Sequence, residues 1–167
     1  MRWRTSSNTP LERLFACLPY VLPMLEALPF GVVLLREFPL LQPLLLPLAP
    51  FALVYGFVTS IFSFGGFGLG GFLIFLALYF LVVRNESIAH FIRFNTMQSI
   101  LIGIVLSLFS LVLSPIAEAL PQLLVESIFT ALFLGTFILC LYAIVQSALG
   151  RYAEIPVISD AAKIQVY

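Results

Sequence analysis

The sequence predicts an all-α membrane protein, a polytopic bundle of four transmembrane helices preceded by a proline-containing N-terminal helix. Three observations support this class. Apolar residues make up 62% of the 167 residues and charged residues only 10%, against about 45–50% and about 25% in soluble domains. The mean hydropathy is +1.12. Several long apolar segments also follow one another without a polar stretch large enough to form a second domain, so 1–167 is expected to be one membrane domain.

The first apolar segment, 14–35, is predicted to form an interfacial or kinked helix. It contains Glu26 and three prolines, and Glu12 and Arg13 precede it. A charged side chain at mid-membrane costs about 2.5–3.5 kcal/mol on insertion scales, and charges framing an apolar stretch are typical of a helix that lies along the surface. The apolar bulk of the segment leaves a tilted, proline-kinked span as the alternative.

The four later apolar segments are predicted to cross the membrane. A span needs about 20 residues, and the third segment reaches that length only if its glycines are included. We predict spans at 38–64, 65–83, 97–117 and 127–149, followed by an inside-facing tail, 150–167.

Four prolines in the second segment recur at a spacing that would place them on one face of an α-helix. Each removes a backbone donor and disturbs the carbonyl one turn earlier, and freed carbonyls in a membrane need a protein or water partner. The segment is expected to be a kinked packing helix, with a helix lining a polar path as the alternative. The prolines are Pro39, Pro43, Pro47 and Pro50.

Basic residues set the predicted topology, because Lys and Arg in short loops stay on the inner side of the membrane. If the first segment does not cross and the other four do, all eight Lys and Arg residues lie inside. If all five cross, Arg2, Arg4 and Arg13 fall outside, which leaves five inside and three outside. If the first segment crosses and the second re-enters, seven lie inside and one outside, so which of 14–35 and 38–64 crosses stays open. The link between the last two spans carries only acids, Glu118 and Glu126. Both termini are therefore expected on the inner, cytosolic or stromal, side.

Residues 64–72 read FGGFGLGGF and contain the dinucleotide-binding pattern G-x-G-x-x-G. That fingerprint needs a preceding strand and an amphipathic helix after it, whereas FLIFLALYFLVV follows here and has no polar face. We interpret the glycines as packing residues: Gly66 and Gly70 form a G-x-x-x-G that permits close helix approach.

The densest polar stretch is RNESIAHFIRFNTMQS, residues 84–99. Amides at the start of a span can hydrogen-bond a neighbouring helix, and arginines there can extend to the headgroups. The stretch is expected to be either an anchoring loop with interhelical amides or an interaction surface or path mouth. The candidate residues are Arg84, Asn85, His90, Arg93, Asn95 and Gln98.

No cofactor, metal or nucleic-acid site is expected. His90 has only Glu86 as a companion ligand, which makes a poor metal site, and Cys17 and Cys140 lie far apart in apolar stretches. No arrangement typical of a catalytic site is present, so we expect no enzyme. The N-terminus starts like a signal peptide, but its prolines indicate that it is not cleaved.

Three motifs resemble the Tic twenty family, the plastid inner-envelope translocon component and its cyanobacterial relatives. They are LERLFACLPYVLPMLEALPFG (11–31), LALYFLVVRN with HFIRFNTMQSIL (76–101), and IVQSALGRYAEIPVISDAAKIQV (144–166). The central motif covers the six candidates above, and the C-terminal one includes Gly150, Arg151, Tyr152 and Glu154. Where relatives often carry an aspartate shortly after the Met-Gln pair, this chain has Gly103.

The resemblance implies a four-span membrane protein with both termini inside and a role in preprotein import, as a channel-forming or scaffolding subunit. The implied partners are the lipid bilayer, other membrane subunits and, as a candidate substrate, a preprotein. The implied location is a cyanobacterial membrane or the plastid inner envelope, and the absence of a long transit peptide favours a bacterial or plastid-encoded protein. A structural or assembly subunit without a conducting path is the main alternative, and a small-solute transporter is a third.

Overall fold

The computed structural model describes residues 9–64, 67–68 and 70–166. Among the described residues the regular secondary structure is helical except for an antiparallel ladder of two residues a side, Ser63–Phe64 with Phe67–Gly68. The predicted all-α class is therefore confirmed. In chain order the helices are α1 Pro10–Cys17, α2 Val21–Ala27, α3 Val32–Glu37, α4 Ala49–Ile61, α5 Gly70–Leu78, α6 His90–Ile116, α7 Gln122–Ala148 and α8 Ile158–Gln165. The 3₁₀-turns are Leu18–Tyr20, Leu28–Gly31, Pro39–Leu48 and Ala117–Ala119, and Tyr79–Val83 forms a π-turn.

Among the described residues, four helical stretches are long and apolar enough to cross a membrane: Pro10–Glu37, Pro39–Ile61, His90–Ala119 and Gln122–Ala148. Gly70–Val83 is apolar but shorter, about 21 Å at 1.5 Å per residue against a hydrocarbon core of about 30 Å. The number of candidate spans matches the prediction, but their identity differs, because the first segment is included and the third is short. Which of these stretches cross stays a prediction.

The N-terminal stretch Pro10–Glu37, called segment one below, is broken by its prolines. A proline inside a helix removes one hydrogen-bond donor and clashes with the preceding turn, and 3₁₀-turns occur at Leu18–Tyr20 and Leu28–Gly31, each with a proline in its first turn. Segment one packs against both α6 and α7, and its Ala16, Tyr20 and Ala27 are 0% exposed. This packing favours the kinked alternative over a helix lying on the surface.

The second apolar stretch begins as a 3₁₀-helix, Pro39–Leu48, and continues as α4. The expectation that its four prolines share one face of an α-helix is wrong. At three residues per turn a step of four residues rotates a side chain by about 120°, so Pro39, Pro43 and Pro47 point in different directions. These three and Pro50 are all exposed.

The core lies where segment one meets the two long helices. Tyr20, Met24 and Leu25 form a cluster with residues of α6 and α7, among them Cys140 and Ala143. Further along segment one, Gly31 packs so closely on α7 that a Cβ atom there would lie 2.6 Å from ring carbons of Phe133. The absence of a side chain at Gly31 therefore sets the distance between segment one and α7.

A second core lies beneath the C-terminal tail. Val83, Phe94 and Met97 pack with Ala162 and Val166 of the tail, and α8 contacts α6 directly. The tail is thus folded back on the N-terminal half of α6, at the end where the predicted candidate residues are concentrated.

Candidate functional site

Asn95 and Gln98 occupy the centre of a buried polar network on α6. Both side chains are 0% exposed, as is Tyr20 of segment one. The Tyr20 hydroxyl lies 2.9 Å from Asn95 Oδ1 and 2.8 Å from Gln98 Oε1. A phenolic hydroxyl carries one proton, so Tyr20 can donate to only one of the two amide oxygens at a time. The network therefore ties segment one to α6 by a geometry that an apolar side chain cannot provide.

Asn95 also joins α7 to this network. Ser147 Oγ donates to Asn95 Oδ1 at 2.7 Å, and Asn95 Nδ2 donates to the Phe91 carbonyl one turn earlier at 2.8 Å. One residue of α6 thus contacts segment one through Tyr20 and α7 through Ser147. In a bilayer such side-chain contacts replace water as the partner of a polar group.

Gln98 extends the network to the tail. Its Nε2 donates to the Ala153 carbonyl at 3.0 Å and to Ser159 Oγ at 2.7 Å. The Ser159 hydroxyl also accepts from the Ile155 N–H at 2.6 Å and donates to the Ala153 carbonyl at 3.1 Å. Every donor and acceptor of this serine is used, so the chain from Ala153 to Ser159 is held in one conformation against α6.

His90 and Arg93 lie at the edge of the network. Arg93 is 7% exposed, and its Nε donates to the Val83 carbonyl at 2.8 Å, which fixes the end of the π-turn against α6. His90 Nδ1 lies 3.0 Å from the Tyr152 hydroxyl, and the Tyr152 ring meets that of Phe94 edge-on at 5.0 Å. Arg93 thus holds the π-turn on α6, and His90 holds the tail there.

Arg84 and Asn85 are not part of this network. Both are exposed, and Asn85 Oδ1 accepts from the Ser87 N–H at 3.0 Å within the same turn. The structure therefore brings together Asn95 and Gln98 and places His90 and Arg93 beside them. It leaves Arg84 and Asn85 exposed in the connection between the π-turn and α6.

Gly70 allows α5 to approach α4. A Cβ atom at Gly70 would lie 2.8 Å from Thr59 Cβ, closer than real side chains come, so the two helices form a tight antiparallel hairpin. Gly66 of the same predicted packing motif lies outside the described residues, as do Arg2 and Arg4. Pro39, Pro43, Pro47 and Pro50 line neither the network nor the cavity described next.

A cavity of about 1000 Å³ lies between segment one, the α4–α5 hairpin and α6. Its rim residues Phe72 and Leu111 are 56% and 71% exposed, so the cavity opens at the surface of the helices. The sequence alone does not reveal it, because its lining comes from five separate stretches: segment one, α4, α5, α6 and α7. The polar side chains that line it are Glu26, Tyr55, Thr59, Ser99, Ser107, Ser110 and Ser114.

The serines of the cavity follow one face of α6. Together with Gly103 they recur every three or four residues, the spacing of one helical stripe. Ser99 Oγ donates to the Pro19 carbonyl at 2.6 Å. Within the described part of the chain, the hydroxyls of Ser107, Ser110 and Ser114 have no recorded hydrogen bond to another side chain or carbonyl.

Comparison with known proteins identifies the family. The family model described as "Chloroplast import apparatus Tic20-like" matches residues 6–162. The chain belongs to the Tic20 family. A Tic20 family protein of Synechocystis sp. is 45% identical over 157 residues, which cover 93% of this chain and 92% of the relative.

More distant Tic20 relatives also match along most of the chain. The Tic20 family protein Ycf60 of Porphyra purpurea is 34% identical over 174 residues, 97% of this chain and 79% of the relative. The protein TIC 20-II, chloroplastic, of Arabidopsis thaliana is 30% identical over 168 residues, 96% of this chain and 76% of the relative. The resemblance to the Tic twenty family, predicted from the sequence motifs, is therefore confirmed.

Within the described ranges no group of three or more His, Cys, Asp or Glu side chains is placed to hold a metal ion. Cys17 and Cys140 are free thiols. What the described chain does contain is a closed polar network and an open, partly polar cavity on a multi-pass membrane protein.

Proposed function

We propose that this protein is a membrane-embedded subunit of a preprotein translocon, of the plastid inner-envelope type or its cyanobacterial counterpart. The observation that carries the proposal is the match of residues 6–162 to a family model described as a chloroplast import apparatus. Partners in the same membrane and a preprotein substrate are part of this proposal.

The cavity supports a path-lining role within such a complex. Four serine hydroxyls and the Glu26 carboxylate line an open space of about 1000 Å³ in an otherwise apolar bundle. Polar groups at membrane depth are tolerated where they line a water-filled cavity or are buried in protein. Because the cavity opens at the surface, we propose that another subunit or a second copy completes the wall.

A structural role is the second candidate, and the surface of Pro39–Ile61 favours it. Within this stretch Leu40 is 90%, Leu53 76% and Phe57 67% exposed, and the polar network fixes the remaining helices to one another. A rigid bundle with a large apolar face suits a scaffold around which other membrane subunits assemble.

Both chain ends are proposed to lie on the inner, cytosolic or stromal, side. The Arg13 guanidinium packs on Gly150, where a Cβ atom would lie 2.9 Å from Arg13 Nε, and His90 contacts Tyr152. The N-terminal end of segment one, the start of α6 and the tail thus meet at one end of the bundle. This contact supports an even number of crossings, which is also what the basic residues favour.

Site-specific photocrosslinking in native membranes tests the proposed path. A photoreactive residue at Ser110, in the cavity, should form adducts with a preprotein arrested during transport. The matched control is Ile138, which is 65% exposed on α7 and does not line the cavity. Adducts from Ser110 with other membrane subunits alone, under conditions of active transport, would favour the structural role and overturn the path.

Single-cysteine labelling tests the topology in a background without the two native cysteines. Thr9→Cys and Asp160→Cys should react with a membrane-impermeant reagent from the inner side, and Gln122→Cys from the outer side. Labelling of Thr9→Cys and Asp160→Cys from opposite sides would contradict the proposed arrangement.

A further inference from the structure

Glu26 is the one acidic or basic side chain among the described residues that line the cavity. It belongs to α2, and its carboxylate faces α6 near the middle of that helix. No described side chain forms a hydrogen bond or ion pair with it, and the Tyr55 side chain in the same cavity is close enough to interact with it electrostatically. The three serines that continue the stripe beyond Gly103 supply hydroxyls in the same cavity.

Gly103 makes the position of this carboxylate possible. A Cβ atom built on Gly103 would lie 2.7 Å from Glu26 Oε2, so any larger residue would displace the carboxylate. The oxygens of an aspartate lie roughly 2.4 Å from its own Cβ by standard bond lengths. An aspartate at 103 can therefore reach the space that Glu26 Oε2 now occupies.

An acidic side chain such as Glu26 is unfavourable near the middle of a membrane span. Insertion of an acidic residue at the centre of a span costs about 2.5–3.5 kcal/mol, and intramembrane acids typically face cavities and mark ion or substrate pathways. Among the described residues that line the cavity none is cationic, so a counter-charge for Glu26 has to come from beyond them.

We propose that Glu26, held over Gly103, binds a positively charged group that enters the cavity, namely the ammonium or guanidinium of a polypeptide side chain. A free monovalent cation shares this chemistry, and the test below separates the two sources. The inference rests on the proposed function for the identity of the polypeptide, but the binding site itself is a property of this chain.

Carbodiimide labelling of the purified full chain in lipid nanodiscs tests the site. A hydrophobic carbodiimide should modify Glu26, with mass spectrometry as the readout. The protecting probes are a short peptide of alternating leucine and lysine, the same peptide with glutamine in place of lysine, and potassium chloride. At a peptide concentration about ten times its Kd, labelling should slow about tenfold, because only about one site in ten is then free.

The expected result is protection by the lysine peptide and none by the glutamine peptide. Equal protection by potassium chloride, at the same concentration of positive charge, would show that Glu26 binds a free cation. It would overturn the proposal that the cation belongs to a polypeptide side chain. No protection of Glu26 by the lysine peptide or the salt would overturn the site.

Relocating the carboxylate separates the site from effects on folding. Glu26→Gln should abolish labelling at this position, and the double change Glu26→Ala with Gly103→Asp should restore both labelling, now at 103, and protection. Glu118→Gln, in the acidic link outside the cavity, is the matched control and should leave the protection of Glu26 unchanged. A relocated carboxylate that is labelled but not protected would contradict the proposal.

This experiment is independent of transport. If Ser110 yields no preprotein adduct but Glu26 is protected by the lysine peptide, the proposed path is wrong and the cation site stands. If adducts form and no protection is seen, the path stands and Glu26 is not its cation site.

Discussion

Removing the Tyr20 hydroxyl should destabilise the helix assembly. The size of the effect depends on how many hydrogen-bond donors the side-chain oxygens of Gln98 and Asn95 keep. Tyr20→Phe keeps the ring and deletes the only described donor to Gln98 Oε1, whereas Asn95 Oδ1 keeps the Ser147 hydroxyl at 2.7 Å. A side-chain hydrogen bond in a membrane protein is worth about 0.6 kcal/mol on average. A buried acceptor left without a partner costs about 1–3 kcal/mol. Because Tyr20 and Gln98 are 0% exposed, we expect a loss of about 1–2 kcal/mol.

Double-mutant cycles make this prediction specific to the geometry. The coupling energy between Tyr20→Phe and Gln98→Met should exceed that between Tyr20→Phe and Asn95→Leu, since only Gln98 lacks a second donor to its oxygen. The measurement is equilibrium unfolding of the full chain in mixed micelles, followed by circular dichroism. Tyr142→Phe, a tyrosine that is 40% exposed on α7, is the matched control and should have little effect.

Two results would refute this reasoning. The first is a Tyr20→Phe variant as stable as the Tyr142→Phe control. The second is a pair of coupling energies that agree within about 0.3–0.5 kcal/mol, the scatter expected of independent sites. Either result would mean that the amide oxygens find other partners when the hydroxyl is removed.

Two further predictions concern glycines and are read by thermal unfolding in detergent. Gly31→Ala should lower the free energy of unfolding by about 1–3 kcal/mol through overpacking, because its Cβ would lie 2.6 Å from the ring of Phe133. The control Gly135→Ala, with open space around its Cβ, should be neutral or stabilising. Equal effects of the two changes would contradict the packing. Gly150→Ala should cost about 1–2 kcal/mol because the backbone there has φ +74° and a left-handed conformation is unfavourable for a residue with a Cβ; unchanged stability would show that the turn relaxes.

The fold class could be predicted from the sequence because it depends on composition and on the length of apolar runs. A chain with 10% charged residues cannot cover a soluble surface, and helices satisfy their own backbone groups in lipid. The family could be recognised because the motifs around Asn95 and Gln98 and around Gly150 are long. Both inferences use information that is local in the chain.

The pairing of residues could not be predicted in the same way. Tyr20 and Asn95 are 75 positions apart, and their contact depends on the direction in which each proline-induced 3₁₀-turn redirects segment one. The departure from an α-helix at Pro39–Leu48 was indicated by the sequence, because prolines repeated every four residues remove the hydrogen-bond donors that an α-helix needs. Neither Glu26 nor Gly103 identifies the other, because a glycine gives no chemical indication of what will occupy its space.

The polar residues of this protein fall into two groups, and the difference between them bears on function. In the network every buried side-chain nitrogen and oxygen of the described residues has a hydrogen-bond partner, so stability alone accounts for Tyr20, Asn95 and Gln98. In the cavity, Glu26 and the serines beyond Gly103 form no hydrogen bond with another side chain of the described residues, and a charged group such as Glu26 is costly in a membrane. Stability therefore accounts for the first group and not for the second, which makes the cavity the part of the molecule where a translocation role should be sought.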